Sequence, residues 1–244
     1  TATIKTDLPY GRYYVQELAT DSHYKLSDAK YPIIFEYVGQ DTAVVKIAVN
    51  DGKAIKNDLI YGSVSGKKVD EDGNALGGAM IGLFRTDDGE FTKENALMTT
   101  TSAKDGSFSF ENIPCGTWYV REIEQPTGFV LDDTIYPVTI GTDGQVVEIE
   151  IVNEYGRGNI HLTKVDSEYP DNKLTGAIFE VYKDSNNNGK LDDSDELLGT
   201  LTEKEAGEYG MNDLFYGRYF VKETKAPDGF VLDTDVYEVV IDTD

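Results

Sequence analysis

The sequence predicts an all-β protein built from tandem β-sandwich modules, and two observations lead to that prediction. One motif, a Gly followed by an aromatic-rich stretch that ends on Glu, occurs three times, at Gly11–Glu17, Gly116–Glu122 and Gly217–Glu223. In each copy an aromatic residue follows the Glu by seven positions and a Tyr follows it by fourteen. The second observation is that short stretches of alternating apolar and polar residues recur between turn signals. Such a repeat indicates stacked modules rather than a single enzyme domain.

The individual strands are predicted by alternation, because successive side chains of a strand point to opposite faces and only one face is buried. Five stretches follow this pattern: Ser107–Phe110, Trp118–Glu122, Val147–Ile151, Ile160–Lys164 and Ile178–Tyr182. Asp-Gly turn signals begin at Asp72, Asp88, Asp105, Asp143 and Asp228. Many short strands separated by such turns are typical of sandwiches and barrels. No stretch has a convincing helical pattern, so we expect a row of sandwiches.

The repeats also divide the chain into units. A Lys-Val-Asp motif at Lys68 and another at Lys164 each follow a Gly by six residues and mark the first strand of a module. The sequence stops only 21 residues after Glu223, which is too early for a closing strand. The expected units are a partial module with only late strands at residues 1–56, a complete module at 57–155 and a module lacking its last strand at 156–244.

Composition limits the possible functions. The chain has 22 Lys and Arg against 45 Asp and Glu, a formal net charge of −23. This charge excludes a general affinity for nucleic acid phosphates and argues against binding to anionic membranes. The single cysteine, Cys115, cannot form an intrachain disulfide, and we expect it to be structural. No apolar stretch has membrane-spanning length and no signal peptide opens the sequence, so we expect a mature fragment with export and anchoring signals outside it.

Three polar residues fall on faces that should be apolar. Lys68, Glu122 and Asn153 each share a strand face with inward-facing small or apolar residues, and buried Lys and Glu are rare unless paired. A neutral Lys68 amine could attack the Asn153 amide with Glu122 as proton shuttle, which would leave an isopeptide bond. An ordinary buried Lys–Glu ion pair with Asn as a hydrogen-bond partner explains the alternation equally well. Lys67 would be the nucleophile if the register slipped by one residue.

These motifs, in this order, resemble those of Cna-B (SpaA-type) domains, the prealbumin-like sandwiches of Gram-positive surface adhesins and pilins. That family has a first-strand Lys, a Tyr-x-Val-x-Glu strand followed by Pro-x-Gly-Tyr or Pro-x-Gly-Phe, and a last-strand Asn. The resemblance covers residues 58–244 and is carried by Lys68-Val-Asp70, Glu122 to Phe129, Val152-Asn153, Lys164-Val-Asp166 and Glu223 to Phe230. It implies tandem Ig-like or prealbumin-like β-sandwich modules.

The resemblance also implies a chemistry for the three polar residues, with Lys68 and Asn153 forming a spontaneous isopeptide bond and Glu122 acting as catalyst. In the last module Lys164 and Glu223 are present, but the matching Asn would lie beyond the sequence, so we expect no intramolecular bond there. The first unit lacks the Lys-bearing strand. Its Asn50 lies near the expected position with the wrong alternation, so no site is assigned there.

A second constellation suits a metal ion. The twelve residues from Asp184 to Asp195 match the spacing of an EF-hand-type calcium loop, in which oxygen ligands alternate and a Gly permits a sharp turn. The predicted ligand positions are Asp184, Asn186, Asn188, Lys190, Asp192 and Asp195. The alternative is a polar hairpin loop, since Asn-Gly is itself a strong turn signal. We expect one Ca²⁺ site and no other cofactor.

The resemblance implies a structural stalk segment of a Gram-positive cell-wall-anchored surface protein, either an adhesin or a pilin, located outside the cell. Its expected partners are neighbouring modules of the same longer chain. No enzyme activity is expected beyond single-turnover formation of the isopeptide bond. The alternative function is a ligand-binding adhesin module that recognises a host protein or glycan.

Overall fold

The structure, a computed structural model that describes residues 3–40 and 44–242, consists of β-strands and turns with one short 3-10 turn at Val49–Gly52. The predicted all-β fold of tandem sandwich modules is confirmed. No helix in the described part of the chain has the length and apolar character needed to cross a membrane.

The first unit contains a single hairpin. Strand β1 (Gly11–Gln16) pairs antiparallel with β2 (Lys30–Phe35), and Gly11 lies opposite Phe35. The same hairpin occurs in both later units, where a Gly at the start of one strand again lies opposite an apolar residue of its partner. The three-fold sequence motif is therefore one hairpin used three times.

The second unit is a complete two-sheet sandwich. Its strands are β3 (Tyr61–Asp70), β4 (Met80–Phe84), β5 (Met98–Thr101), β6 (Ser107–Pro114), β7 (Gly116–Glu124), β8 (Tyr136–Ile140) and β9 (Val146–Asn153). One sheet has the order β6-β3-β9 and the facing sheet has the order β5-β4-β7-β8. β3 and β9, the first and last strands, are parallel neighbours, with Lys68 aligned to Ile151 and Asp70 to Asn153.

The third unit repeats this plan. Its strands are β10 (Arg157–Thr163), β11 (Ile178–Lys183), β12 (Glu196–Thr200), β13 (Thr202–Glu205), β14 (Glu208–Phe215), β15 (Gly217–Lys225) and β16 (Val236–Ile241). The sheets have the orders β10-β14-β13 and β12-β11-β15-β16. In the described residues β10 pairs with β14 only, and no strand lies where β9 lies beside β3.

Each of the two sandwiches has its own apolar core, supplied by the inward-facing residues of its strands. The two cores include Val64, Ile81, Leu83, Phe108, Phe110, Ile113, Trp118, Val120, Val138, Ile140 and Ile151 in the second unit, and Ile160, Phe179, Val181, Tyr209, Tyr219, Val221 and Ile241 in the third. Lys68 and Glu122 lie on the same inward strand faces as these apolar residues. They are therefore buried inside the core of the second unit.

A short, tightly packed joint connects the second and third units. Tyr155 stacks on Phe129 with ring centroids 4.9 Å apart and meets Phe215 edge-on at 5.2 Å. Arg157 bridges the two units, with its guanidinium 2.8 Å from a carboxylate oxygen of Glu71 and 2.9 Å from one of Asp213. Tyr155, at the end of the second unit, and Arg157, at the start of the third, therefore each contact both units.

Gly66 on β3 is required by packing. A Cβ added there would come within 2.0 Å of the Phe108 ring, which fills the core directly opposite. We expect Gly66→Ala to destabilise the second unit by about 1–3 kcal/mol, because the ring can move only by disturbing its neighbours. Denaturant unfolding measures this change. Gly141→Ala is the control, since a Cβ there meets nothing closer than 3.9 Å, and equal unfolding midpoints for the two variants would contradict the assignment.

Candidate functional site

Lys68, Glu122 and Asn153 meet in the core of the second unit. Lys68 lies on β3 and Asn153 ends the neighbouring β9, while Glu122 projects from β7 in the facing sheet. Their side chains are 0%, 1% and 1% exposed. Lys67, the neighbouring candidate nucleophile, lies on the exposed face of β3. The structure thus brings together the three residues that alternation selected and turns Lys67 away from them.

The Glu122 carboxyl is the centre of this cluster. Its Oε1 lies 3.7 Å from Lys68 Nζ, and its Oε2 accepts a hydrogen bond from Asn153 Nδ2 at 2.7 Å. The Asp132 N–H donates to the same Oε2 at 2.8 Å, which fixes the carboxyl in place. Asn153 Nδ2 also donates to the Val130 carbonyl at 2.6 Å. The amine and the amide are therefore held on one shared carboxyl.

Three atoms of the cluster have no hydrogen bond. Among the described residues Lys68 Nζ, Glu122 Oε1 and Asn153 Oδ1 are buried without a hydrogen-bond partner. An ammonium has three donors, and leaving them unsatisfied in an apolar core is costly. This arrangement suits a neutral amine better than a stable ion pair.

Burial favours the uncharged form of both Lys68 and Glu122. It lowers the pKa of the Lys68 amine, because desolvation disfavours the ammonium, and the neighbouring Glu122 carboxyl offsets this only in part. It raises the pKa of Glu122 for the corresponding reason, against the hydrogen bonds from Asp132 and Asn153. Both shifts favour the neutral forms, a nucleophilic amine beside a protonated acid.

The third unit contains two of the three groups. Lys164 Nζ lies 3.0 Å from Glu223 Oε1, and the Asp233 N–H donates to Glu223 Oε2 at 2.7 Å. Glu223 is fully buried, whereas the Lys164 side chain keeps 19% of its exposure. Within the described residues no Asn donates to Glu223. In the part of the chain that the structure describes, Lys164 and Glu223 therefore pair with each other and with the Asp233 N–H.

The first unit contains the complementary pair, which the sequence analysis missed. Asn57 Nδ2 lies 2.8 and 3.0 Å from the two carboxyl oxygens of Glu17, and the Ser27 N–H donates to Glu17 Oε2 at 3.2 Å. Asn50, the residue considered from the sequence, instead lies in the 3-10 turn with a φ of 55° and hydrogen-bonds to the Lys53 carbonyl. Asn57 therefore contacts Glu17 much as Asn153 contacts Glu122, and its amide also donates to Thr20 Oγ1 at 2.6 Å.

A spacing signal could have identified Asn57. Asn153 precedes Lys164 by eleven residues, and Asn57 precedes Lys68 by the same eleven. The distance from Glu122 to Asn153, counted forward from Glu17, does not lead to Asn57. The reason is that the connection between the hairpin and the last Asn is longer in the first unit than in the second. The contacts with Glu17 also attach Asn57 to the first unit, although the boundary expected from sequence placed it at the start of the second.

The loop from Asp184 to Asp195 connects β11 to β12 and is closed by its own hydrogen bonds. The Asp184 carboxylate is buried and accepts the N–H groups of Asn188 at 3.1 Å and Gly189 at 3.0 Å. The Asp195 carboxylate accepts the N–H groups of Ser185 and Asp192 at 3.0 and 2.9 Å. These hydrogen bonds close the loop on itself.

The remaining predicted ligands lie at the open side of this loop. Asn186 and Asn188 both donate their side-chain amides to Asp192, and Lys190 donates its N–H to Asn188 Oδ1 at 2.8 Å. Hydrogen bonds, chiefly from Ser194, lower the pKa of Asp192 to about 2, so its carboxylate is charged at neutral pH. No cluster of three or more His, Cys, Asp or Glu side chains is arranged for a metal in the described ranges. A cation at this loop would therefore need the two Asn amides to turn their oxygens inward.

The match to a known family follows the same repeats. A family model described as "SpaA: Prealbumin-like fold domain" matches residues 62–155 and again residues 158–244. The chain belongs to this SpaA family. The two matches coincide with the two sandwiches, and the predicted resemblance to SpaA-type domains is confirmed.

Relatives of this SpaA chain are found in Staphylococcus aureus and Streptococcus pyogenes, and one of them is named as a surface protein. It is 29% identical over 154 residues to serine-aspartate repeat-containing protein D of Staphylococcus aureus (strain Newman), which covers 55% of this chain and 11% of that protein. It is 36% identical over 80 residues to the trypsin-resistant surface T6 protein of Streptococcus pyogenes serotype M6, covering 33% and 13%. The chain thus spans only about a tenth of the length of these curated relatives.

A solved structure has a similar fold. The Bacillus anthracis TIE protein is similar with a TM-score of 0.61 and 28% identity, over 77% of this chain and 32% of that one. A similarity at this level supports the fold described above.

Proposed function

We propose that this chain is a structural segment of a Gram-positive cell-wall-anchored surface protein, in an adhesin stalk or a pilin, whose second unit is locked by an isopeptide bond between Lys68 and Asn153. The observation that carries the proposal is the contact of both residues with one buried Glu122 carboxyl. The surface proteins among its relatives support an extracellular location. Its partners would be neighbouring modules of the same longer chain.

The reaction needs no external reagent. The Asn153 amide first turns by half a rotation, so that its oxygen faces Glu122. The neutral Lys68 amine then attacks Cγ of Asn153 while the protonated Glu122 donates to the amide oxygen. The proton that Nζ loses passes through the carboxyl to Nδ2, and the bond from Cγ to Nδ2 breaks. One ammonia leaves, one amide joins the two side chains, and Glu122 returns to its initial state. Each molecule reacts once, so the chain is not an enzyme in the usual sense.

The position of the bond suits a load-bearing role. β3 and β9 are parallel, so the chain enters the unit at the start of β3 and leaves it at the end of β9, at the opposite end of the sheet. Tension between these points would shear the two strands past one another. A Lys68–Asn153 bond would pass the tension from one strand directly to the other and leave the intervening residues unloaded.

Intact mass spectrometry tests the bond. We expect the chain to be lighter than its sequence by the mass of one ammonia and Glu122→Ala to have the full mass, because without the carboxyl no group moves the protons. Glu124→Ala, a change of an exposed residue at the end of the same strand, is the matched control and should keep the deficit. A wild-type chain of full mass would show that the bond does not form.

The bond should also stabilise the unit. It closes a loop from Lys68 to Asn153, and by the loop-entropy argument used for disulfides this contributes roughly 4–5 kcal/mol. We expect Asn153→Ala to lower the free energy of unfolding by about that amount, as measured by denaturant titration. Asn153→Asp should keep the bond, with loss of water in place of ammonia, and most of the stability. Equal unfolding of wild type and Asn153→Ala would argue against a closed loop.

We also propose that the loop at residues 184–195 binds one calcium ion, which rests on the alternation of oxygen-bearing side chains along it. The charged Asp192, facing two Asn amides at the open side, supports a cation at that position. An amide rotated by half a turn exchanges a donor for an acceptor, so both Asn side chains can become ligands without movement of the backbone.

Calorimetry tests the calcium site. We expect a dissociation constant on the order of 10⁻⁴ to 10⁻³ M, typical of extracellular calcium modules, and its loss in Asp192→Ala. Asp193→Ala is the matched control, because it removes an equal charge from the next residue, which lies outside the predicted ligand set. If the two variants bind alike, or if the wild type gives no binding heat, the loop is only a turn.

A further inference from the structure

A positively charged side chain lies against the loop at residues 184–195, outside the ligand set predicted for that loop. Arg218, the second residue of β15, places its Nε 3.7 Å from Oδ2 of Asp184, the first of the predicted calcium ligands. The Asp184 side chain is fully buried, whereas that of Arg218 is 40% exposed. The guanidinium therefore reaches from the surface to a carboxylate that solvent does not reach.

Further contacts hold Arg218 in this place. Its carbonyl accepts the Asp184 N–H at 2.9 Å, which joins the strand to the start of the loop through the backbone. At Gly189, the sharp turn of the loop, an added Cβ would lie 2.6 Å from Arg218 Nη1. The same Nη1 lies 3.0 Å from Oε1 of Glu238 on β16. The guanidinium is thus packed against the turn and shared between two carboxylates, one in the loop and one on the neighbouring strand.

The second unit has a neutral residue at the matching position. Its connection between β4 and β5, residues 85–97, lacks the alternating Asp and Asn residues of the loop in the third unit. The hairpin motif of the second unit has Thr117 where that of the third has Arg218. The Thr117 hydroxyl lies 3.3 Å from that of Thr139 on β8, so its hydrogen bond stays within the sheet. Of the two sandwiches, the one with the Asp- and Asn-rich loop is therefore the one with a cation beside it.

This cation acts on the charge that an ion in the loop would use. A carboxylate paired with a guanidinium has part of its negative charge neutralised, and the guanidinium also repels a divalent ion bound to the same carboxylate. Burial strengthens both effects at Asp184, because little water or salt screens its carboxylate.

We propose that Arg218 sets the calcium affinity of the loop by competing with the ion for Asp184. With the ion absent, the guanidinium is shared between Asp184 and Glu238. With the ion bound, it turns to Glu238, which lies within its reach on β16. Arg218 thereby keeps the affinity of the loop low. This inference rests on the calcium site proposed above.

Calorimetry with Ca²⁺ on the full chain tests this role. We expect Arg218→Gln to bind Ca²⁺ about tenfold more tightly than the wild type, because a neutral amide does not compete with the ion. Arg218→Lys keeps the charge and should bind like the wild type. Lys222→Gln is the matched control. It removes an equal charge from the same strand, roughly 13 Å further along, and should change the affinity by less than about twofold.

The direction of the change separates competition from a structural role, since a variant with a damaged loop would bind Ca²⁺ less tightly. The gain in Arg218→Gln should disappear when Asp192→Ala is added, which would place the ion in the loop. Binding detected only in Arg218→Gln would also support the inference.

Three outcomes would overturn it. If the wild type binds Ca²⁺ and Arg218→Gln binds no more tightly than Lys222→Gln, Arg218 does not compete and the calcium site stands. If Arg218→Lys binds as tightly as Arg218→Gln, the charge is not the cause. If neither the wild type nor any variant binds Ca²⁺, the calcium site is wrong and the role of Arg218 falls with it.

Discussion

Burial of the Glu122 carboxyl between two sheets is the constraint on which the architecture of the second unit depends. A carboxyl in an apolar core must be neutral or hydrogen-bonded. Here Oε2 accepts hydrogen bonds from Asn153 on the closing strand and from the Asp132 backbone, while Oε1 lies 3.7 Å from Lys68 Nζ on the opening strand. β3, β7 and β9 must therefore keep their registers together. A one-residue slip of β3 would replace Lys68 at the carboxyl by Lys67, which faces solvent, and would turn its apolar residues outward.

The three units show what each strand contributes to this site. With the opening and closing strands both present, the lysine is fully buried. With the opening strand alone, Lys164 retains partial exposure while Glu223 is already fully buried. With the closing Asn alone, Glu17 is only part-buried. The hairpin that carries the Glu forms in all three cases, so it is the constant part of the module, and the degree of burial depends on which further strands cover it.

Much of this could be predicted from sequence, because the signals lie within strands, where alternation is strict. The inward positions of Lys68, Glu122 and Asn153 followed from alternation alone. Asn57 was missed because the prediction counted forward from Glu17 across a loop, and loop lengths vary between repeats while strand registers do not. The distance from each Asn to the next lysine crosses only a short joint, so it is the same for Asn57 and Lys68 as for Asn153 and Lys164. The Asp184–Asp195 loop shows another limit, since the same Asp and Asn spacing suits both a calcium loop and a turn closed by its own hydrogen bonds.

The joint around Tyr155 has a consequence for the dimensions of a longer array. Only three residues separate Asn153 from Arg157, and Tyr155 and Arg157 bind both neighbouring units. A flexible linker lets the end-to-end distance of a chain grow only with the square root of its length. Joints as short and as well packed as this one would instead make the reach of an array increase in proportion to the number of modules. Fewer modules would then be needed to span a given distance.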